Sequence, residues 1–171
     1  MLLRVGLAGH AGPHDALAGA GSGAALLGLA LLSGWRPVRV PAAAPRTRAV
    51  LLGLLGALVL CALPVLLQDG AAGAGSGFAR WALVVTGVAL CQEAFFRGAL
   101  LDALLPHGTW AAVGGSALAF GLMHVPLHGW HVLPLDTAVG VLLAGLRLEA
   151  GRLSAPALAH VGADLATWWL R

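Results

Sequence analysis

Three short stretches of otherwise apolar sequence carry polar side chains whose types and spacing are suited to chemistry. These residues are Gln92, Glu93 and Arg97, then His124 and His128, and finally His160 and Asp164. Each stretch contains a pair separated by four residues, which places both side chains on one face of a helix. If the three helices meet, their carboxylate, imidazole and guanidinium groups can activate a water molecule and stabilise an oxyanion. The pattern therefore indicates acid/base hydrolysis.

Each pair also has a purely structural interpretation. Glu93 and Arg97 can neutralise each other within one helix, and His160 and Asp164 can form a hydrogen-bonded packing pair. An ionisable group in hydrocarbon, however, costs about 2.5–3.5 kcal/mol on insertion scales. Because one apolar substitution would remove each cost, packing alone is a poor explanation for three such stretches.

A metal site is the alternative chemistry. Its nitrogen and oxygen ligands would be His124, His128 and His160 with Asp164 or Glu93. The His-x-x-x-His spacing lacks the glutamate that follows the first histidine in zincins, and Pro126 between the histidines disturbs helical geometry. His128, at the end of its apolar run, is also suited to a wet interface. The residues therefore favour acid/base chemistry, with a metal site as the open alternative.

The composition indicates the kind of element that must position these residues. Of 171 residues, 59% are hydrophobic and 10% charged, and the mean hydropathy is +0.88. Such a chain encodes an integral membrane protein and not a soluble core with a charged surface. The ten arginines, with no lysine, are spread along connecting segments, which argues against a nucleic-acid-binding face.

The apolar runs predict an all-α polytopic transmembrane bundle of about six spans with a polar intramembrane site. A helix needs about 20 residues to cross about 30 Å of hydrocarbon. The predicted spans are approximately 16–35, 49–67, 80–104, 109–127, 132–148 and 153–170. Small residues such as Gly53, Gly56 and Gly140 should let neighbouring helices approach closely.

The glycine-rich stretch before residue 78 divides the chain into two expected parts. Residues 1–77 supply two apolar helices and the linker, whereas residues 78–171 form a core that carries all three polar stretches. The N-terminus lacks the long apolar region of a cleaved signal peptide. Arginines concentrate in the first predicted loop and in the fifth, which holds Arg147 and Arg152, so odd-numbered loops should be cytoplasmic and both termini outside.

Together the three stretches resemble the motifs of the CPBP family of intramembrane proteases, which includes CAAX proteases and bacteriocin-processing proteins and is also called Abi. The family's first motif is Glu-Glu-x-x-x-Arg followed by glycine, and residues 92–98 match it at every position but the first. The second, Phe-x-x-x-His, is matched by residues 120–124, and the third, His-x-x-x-Asn or Asp, by residues 160–164. The resemblance covers about residues 80–171.

The resemblance implies a multi-helix membrane protein that cleaves peptide bonds in or near the bilayer. It implies that His124 acts on the attacking water together with the first glutamate of motif one, and on this ground we expect no metal and no cofactor. His160 and Asp164 would polarise the scissile carbonyl and stabilise the oxyanion, and Glu93 and Arg97 would maintain the geometry and charge of the site. The implied partners are membrane lipid and a peptide or protein substrate, with or without a lipid group.

Gln92 stands where the family has its first glutamate. An amide cannot serve as a general base at neutral pH, so three outcomes remain open. Glu93 acts as the base instead, or His124 acts unaided, or the protein binds its substrate without cutting it. A proton-coupled transporter is a further alternative, because Glu, His and Asp within spans also build proton relays. The arginine-rich, lysine-free composition favours a bacterial cytoplasmic membrane.

Overall fold

The computed structural model describes residues 13–35, 45–67 and 77–169, and within them the regular structure is helical, as expected. The helices are α1 (Pro13–Leu32), α2 (Arg46–Leu67), α3 (Phe78–Glu93), α4 (Leu101–Leu104), α5 (Thr109–His128), α6 (Leu133–Ala150) and α7 (Ser154–Ala166). The segment Ala94–Leu100 is π-helical and joins α3 to α4, and a 3₁₀ turn follows at Leu105–His107. Most of the first loop and the glycine-rich linker lie outside the described residues.

Because α3, the π segment and α4 run on without a break, the described chain forms six long helices at the six predicted positions. Two of them, Phe78–His107 and Trp130–Ala150, are long and apolar enough to cross a membrane. Gly108 and Gly151 adopt φ values of +109° and +61°, a region that glycine enters without steric cost. These two glycines allow the chain to reverse tightly between α4 and α5 and between α6 and α7.

Small residues bring the helices into close contact, as the sequence predicts. A Cβ atom added at Gly53 of α2 would lie 2.9 Å from the carbonyl oxygen of Ala155 in α7. A Cβ atom added at Gly140 of α6 would lie 2.7 Å from the Cα atom of Ala117 in α5. Since both neighbours are backbone atoms, each interface depends on the absence of a side chain.

The described helices expose many large apolar side chains and bury a cluster of polar ones within an otherwise apolar core. Large apolar side chains face outward, among them Leu32, Leu51, Leu55, Leu58 and Leu83. The buried polar and charged residues include Gln92, Glu93, Arg97, Ser116, His124, Asp136, His160 and Asp164. This distribution is suited to an apolar solvent, in which ionisable groups face the interior of the bundle.

The expectation that Arg147 is a loop residue is wrong. Arg147 lies in the last turn of α6 and is buried, with its Nη2 atom 3.4 Å from Oδ1 of Asp102. The other oxygen of Asp102 accepts a hydrogen bond from Nε1 of Trp35 at 3.1 Å. Because α4 supplies a carboxylate that neutralises the guanidinium, α6 can bury this arginine.

Candidate active site

The π-helical segment places Arg97 directly against Glu93, the last residue of α3. The N–H of Leu101 reaches back five residues to the carbonyl of Phe96, the bond pattern that defines a π turn. Arg97 Nη1 donates to Glu93 Oε1 at 2.9 Å, and both side chains are buried.

Helix α7 delivers His160 to the same carboxylate oxygen. His160 Nδ1 lies 2.7 Å from Glu93 Oε1, and because a carboxylate oxygen accepts, the proton of this bond belongs to Nδ1. On the other side of the ring, Nε2 lies 3.7 Å from Oδ2 of Asp164. The first and third sequence stretches therefore meet at Glu93.

The second oxygen of Glu93 has a different environment. Oε2 is buried and accepts no hydrogen bond from any residue that the structure describes. Buried carboxylate oxygens are normally hydrogen-bonded, so Oε2 is an exception to that rule. Glu93 thus has one oxygen bonded to Arg97 and His160 and one without a donor among the described residues.

The ring of Phe120 connects the clusters on the three helices. The guanidinium carbon of Arg97 lies 4.3 Å from its centroid, within the range of a cation–π interaction. The ring centroids of His124 and His160 lie 4.8 and 5.7 Å from it. Sequence reasoning used Phe120 only as a motif position and did not identify this central role.

His124 lies in α5 with its ring orientation fixed by a backbone contact. Its Nδ1 atom lies 2.9 Å from the carbonyl oxygen of Phe120. A carbonyl can only accept, so Nδ1 carries a proton, and in the neutral ring Nε2 is then the atom that can take up a proton. His128, at the end of the same helix, is stacked parallel to His124 with ring centroids 6.3 Å apart.

Asp136 is the site residue that the sequence analysis missed. It lies in the first turn of α6, is 1% exposed, and has Oδ2 3.6 Å from Nδ1 of His124. The signal was present, since Asp136 is an ionisable residue inside the predicted span 132–148, but it has no motif partner four residues away. Gln92 is also buried, at 2% exposed, beside Glu93 in α3.

The arrangement combines a fixed carboxylate, two oriented imidazoles and a buried guanidinium around one aromatic ring. Within residues 13–35, 45–67 and 77–169, no three His, Cys, Asp or Glu side chains are arranged so that they could hold a metal ion. In a water-excluding site, such groups can take a proton from water and stabilise an oxyanion. The geometry is thus suited to hydrolysis of a carbonyl compound.

One of three comparisons with known proteins found a match. The sequence model of a family described as type II CAAX prenyl endopeptidase, Rce1-like, matches residues 74–166. The match covers more than half of the chain and includes all three polar stretches. Comparison with curated proteins and with solved structures gave no match.

Proposed function

The chain belongs to the Rce1-like family of type II CAAX prenyl endopeptidases, and from this premise we propose that it is an active intramembrane endopeptidase of the CPBP type. It hydrolyses a peptide bond in a membrane-associated substrate through an activated water. The observation that supports this most strongly is the buried Glu93 carboxylate, which Arg97 and His160 hold next to the Phe120 ring on which His124 also packs.

The first step is addition of water to the scissile carbonyl. Nε2 of His124 accepts one proton from water as the water oxygen bonds to the carbonyl carbon, and the carbonyl oxygen becomes an oxyanion. When the tetrahedral intermediate collapses, the C–N bond breaks and His124 returns the proton to the leaving amine nitrogen. This cycle leaves the enzyme unchanged and consumes one water per bond.

The second component stabilises the oxyanion. His160 in its imidazolium form can donate from Nε2 while Nδ1 still donates to Glu93. Its charge is then balanced, because Glu93 and Asp164 supply two negative charges against Arg97 and His160. Donors fixed before the reaction require no reorganisation as charge develops, which is the main source of oxyanion stabilisation.

The third component is the Glu93–Arg97 pair, which we assign to positioning. Arg97 also places Nη2 3.4 Å from the carbonyl oxygen of Gly140 in α6. The guanidinium therefore connects the π segment to α6 as well as to the Glu93 carboxylate.

We also propose a location and topology. The protein lies in a bacterial cytoplasmic membrane with six spans and both termini outside, and its chain divides near residue 77 into an N-terminal part and a core that carries the three motifs.

The substrate class follows from the surroundings of the site. The outer surface of the bundle is apolar, so a peptide or protein already held in the bilayer reaches the site without crossing water. The family name points to prenylated CAAX peptides as suitable probes. Family membership also favours a peptidase over a proton-coupled transporter.

An inactive binding protein is the second candidate, and Gln92 favours it. The amide occupies the first position of motif one in a buried environment, where it cannot take a proton from water. Such a protein would bind a peptide in the polar site and release it uncut. We favour the enzyme because Arg97, His124 and His160 all contact the Phe120 ring, and Glu93 and Asp164 lie on either side of His160.

The proposal is tested with the full chain purified in detergent micelles and an internally quenched, farnesylated CAAX peptide. The wild type should cleave the probe, and His124→Ala should reduce kcat by about 10²-fold or more, the usual loss on removing a general base. His107→Ala is the matched control, because His107 is exposed and lies outside the site. Equal cleavage by wild type and His124→Ala would overturn the proposal.

A further inference from the structure

Asp136 is a buried carboxylate that the proposed reaction has not used. It is 1% exposed and comes from α6, a helix that contributes no motif residue. Burying a carboxylate in a bundle is costly unless an ionic or hydrogen-bonded partner offsets the lost hydration. His124, whose Nδ1 atom lies 3.6 Å from Oδ2 of Asp136, is one such partner.

The position of Asp136 in the first turn of α6 offers a partial explanation. Acidic side chains near a helix N-terminus interact favourably with the helix dipole, typically by about 0.3–1 kcal/mol. An exposed position in the same turn would give that stabilisation without the cost of burial. The helix dipole therefore accounts for an acidic residue in this turn. It does not account for the position of the Asp136 carboxylate against His124 of α5.

The geometry around His124 gives a reason for the position of the Asp136 carboxylate. The carbonyl of Phe120 that accepts from His124 Nδ1 also accepts the backbone N–H of residue 124, four positions on in the helix. A shared acceptor holds the imidazole less firmly than one devoted to it. Asp136 Oδ2, 3.6 Å from the same nitrogen, adds a full negative charge on that side of the ring.

The charge matters most after proton transfer. When Nε2 takes a proton from water, His124 becomes an imidazolium with Asp136 beside it. Arg97 of the π segment and His160 of α7 contact the same Phe120 ring that His124 contacts, and His128 stacks on His124 within α5. Of these groups, only Asp136 supplies a negative charge next to the ring, and a base oriented by a carboxylate recurs in hydrolytic sites.

We propose that Asp136 is a positioning residue that orients His124 and stabilises its imidazolium, which allows His124 to act as the base although residue 92 is a glutamine. This inference rests on the proposed function. It explains how a site with an amide at the first motif position can keep a working base. The role is taken by a residue from a different helix, outside all three motifs.

Epistasis with residue 92 distinguishes this role from a structural one. With the farnesylated probe, Asp136→Asn should lower kcat by about 10²-fold with little change in KM, because His124 without its orienting carboxylate loses most of its effect as a base. In a Gln92→Glu background, the new carboxylate can serve as the base, so activity no longer depends on Asp136. Asp136→Asn should then lower kcat by less than about 10-fold. Asp136→Glu should retain most of the activity. An equal loss in both backgrounds, or no loss in either, would overturn the inference.

A second readout does not depend on turnover. Nitrogen-15 NMR of histidine-labelled full chain in micelles should show a proton on Nδ1 of His124 in the wild type. Asp136→Asn should increase the Nε2–H tautomer, and Asp136→Glu should restore the wild-type form. Asp102→Asn is the matched control, since Asp102 pairs with Arg147 and Trp35 elsewhere in the bundle. If the wild type is inactive but the tautomer shifts, the proposed function fails and the positioning role stands; an unchanged tautomer overturns the role.

Discussion

At the scale of single residues, the site is organised around one oxygen atom. Oε1 of Glu93 accepts from Arg97 and from His160, so two helical segments are joined through a single acceptor. Charge-assisted hydrogen bonds of this kind are short and strong when water is excluded. Glu93 is consequently the residue whose loss should disturb the most contacts.

Glu93→Gln should destabilise the protein markedly. The amide removes the negative charge between Arg97 and His160 and leaves a buried guanidinium without its partner, a change that costs about 3–5 kcal/mol in buried pairs. The free energy of unfolding, measured by equilibrium denaturation in mixed micelles, should fall by an amount in this range.

The control for Glu93→Gln is a second ion pair of the same chain. Glu149 pairs with Arg48, and both side chains are more than half exposed. Exposed pairs contribute about 0–1 kcal/mol, so Glu149→Gln should have little effect. Equal destabilisation by the two substitutions would show that the Glu93 contacts do not support the fold.

The residue scale also shows which parts of the site can be predicted from sequence. Glu93, Arg97, His160 and Asp164 are identifiable because their four-residue spacing is local and each is costly in an apolar run. Phe120 and Asp136 are harder to identify, since their importance comes from contacts between helices. Apolar periodicity does not say which aromatic ring lies between two imidazoles.

At the scale of secondary structure, the apolar runs predict the helices well and the π segment not at all. The six runs correspond to helices because their length and turn formers are local properties. The π turn at Ala94–Leu100 has no comparable local signal in the sequence, although π turns are frequent at functional sites. The sequence predicts Arg147 in a loop and not in α6, because its partner Asp102 is distant in sequence.

Gly140→Ala tests whether close helix packing supports the site. The new Cβ atom would lie 2.7 Å from backbone Cα of Ala117, which forces α5 and α6 apart and disturbs the Gly140 carbonyl near Arg97. Overpacking of this kind typically costs about 1–3 kcal/mol. We expect a lower free energy of unfolding and slower cleavage of the farnesylated probe.

Gly145 of the same helix provides the matched control. A Cβ atom there meets nothing within 4 Å, so Gly145→Ala should be neutral or slightly stabilising, because alanine is the better helix former. If Gly140→Ala were as well tolerated as Gly145→Ala, contact between α5 and α6 would not be what positions Arg97.

At the scale of the whole molecule, the distribution of side chains is suited to a membrane. Leucines cover much of the outside, while ionisable groups of α3, α5, α6 and α7 are buried inside. A bilayer favours both features, and both support the proposed function.

The proposed topology is tested by labelling introduced cysteines with a membrane-impermeant maleimide after replacement of Cys61 and Cys91. In the proposed orientation the third loop is cytoplasmic and the fourth is external. His131→Cys should therefore be labelled from outside intact spheroplasts, and His107→Cys only after lysis. Labelling of both positions from the same side would show that α5 does not cross the membrane.

The most direct test of the central claim compares wild type with Gln92→Glu on the farnesylated probe, with cleavage sites mapped by mass spectrometry. If the site is active as it stands, the wild type releases products at a measurable rate, Gln92→Glu cuts the same bond, and His124→Ala silences both. If only Gln92→Glu releases products while the wild type binds the probe and leaves it intact, the protein is a disabled relative that binds without cutting, and the account of an active peptidase is wrong.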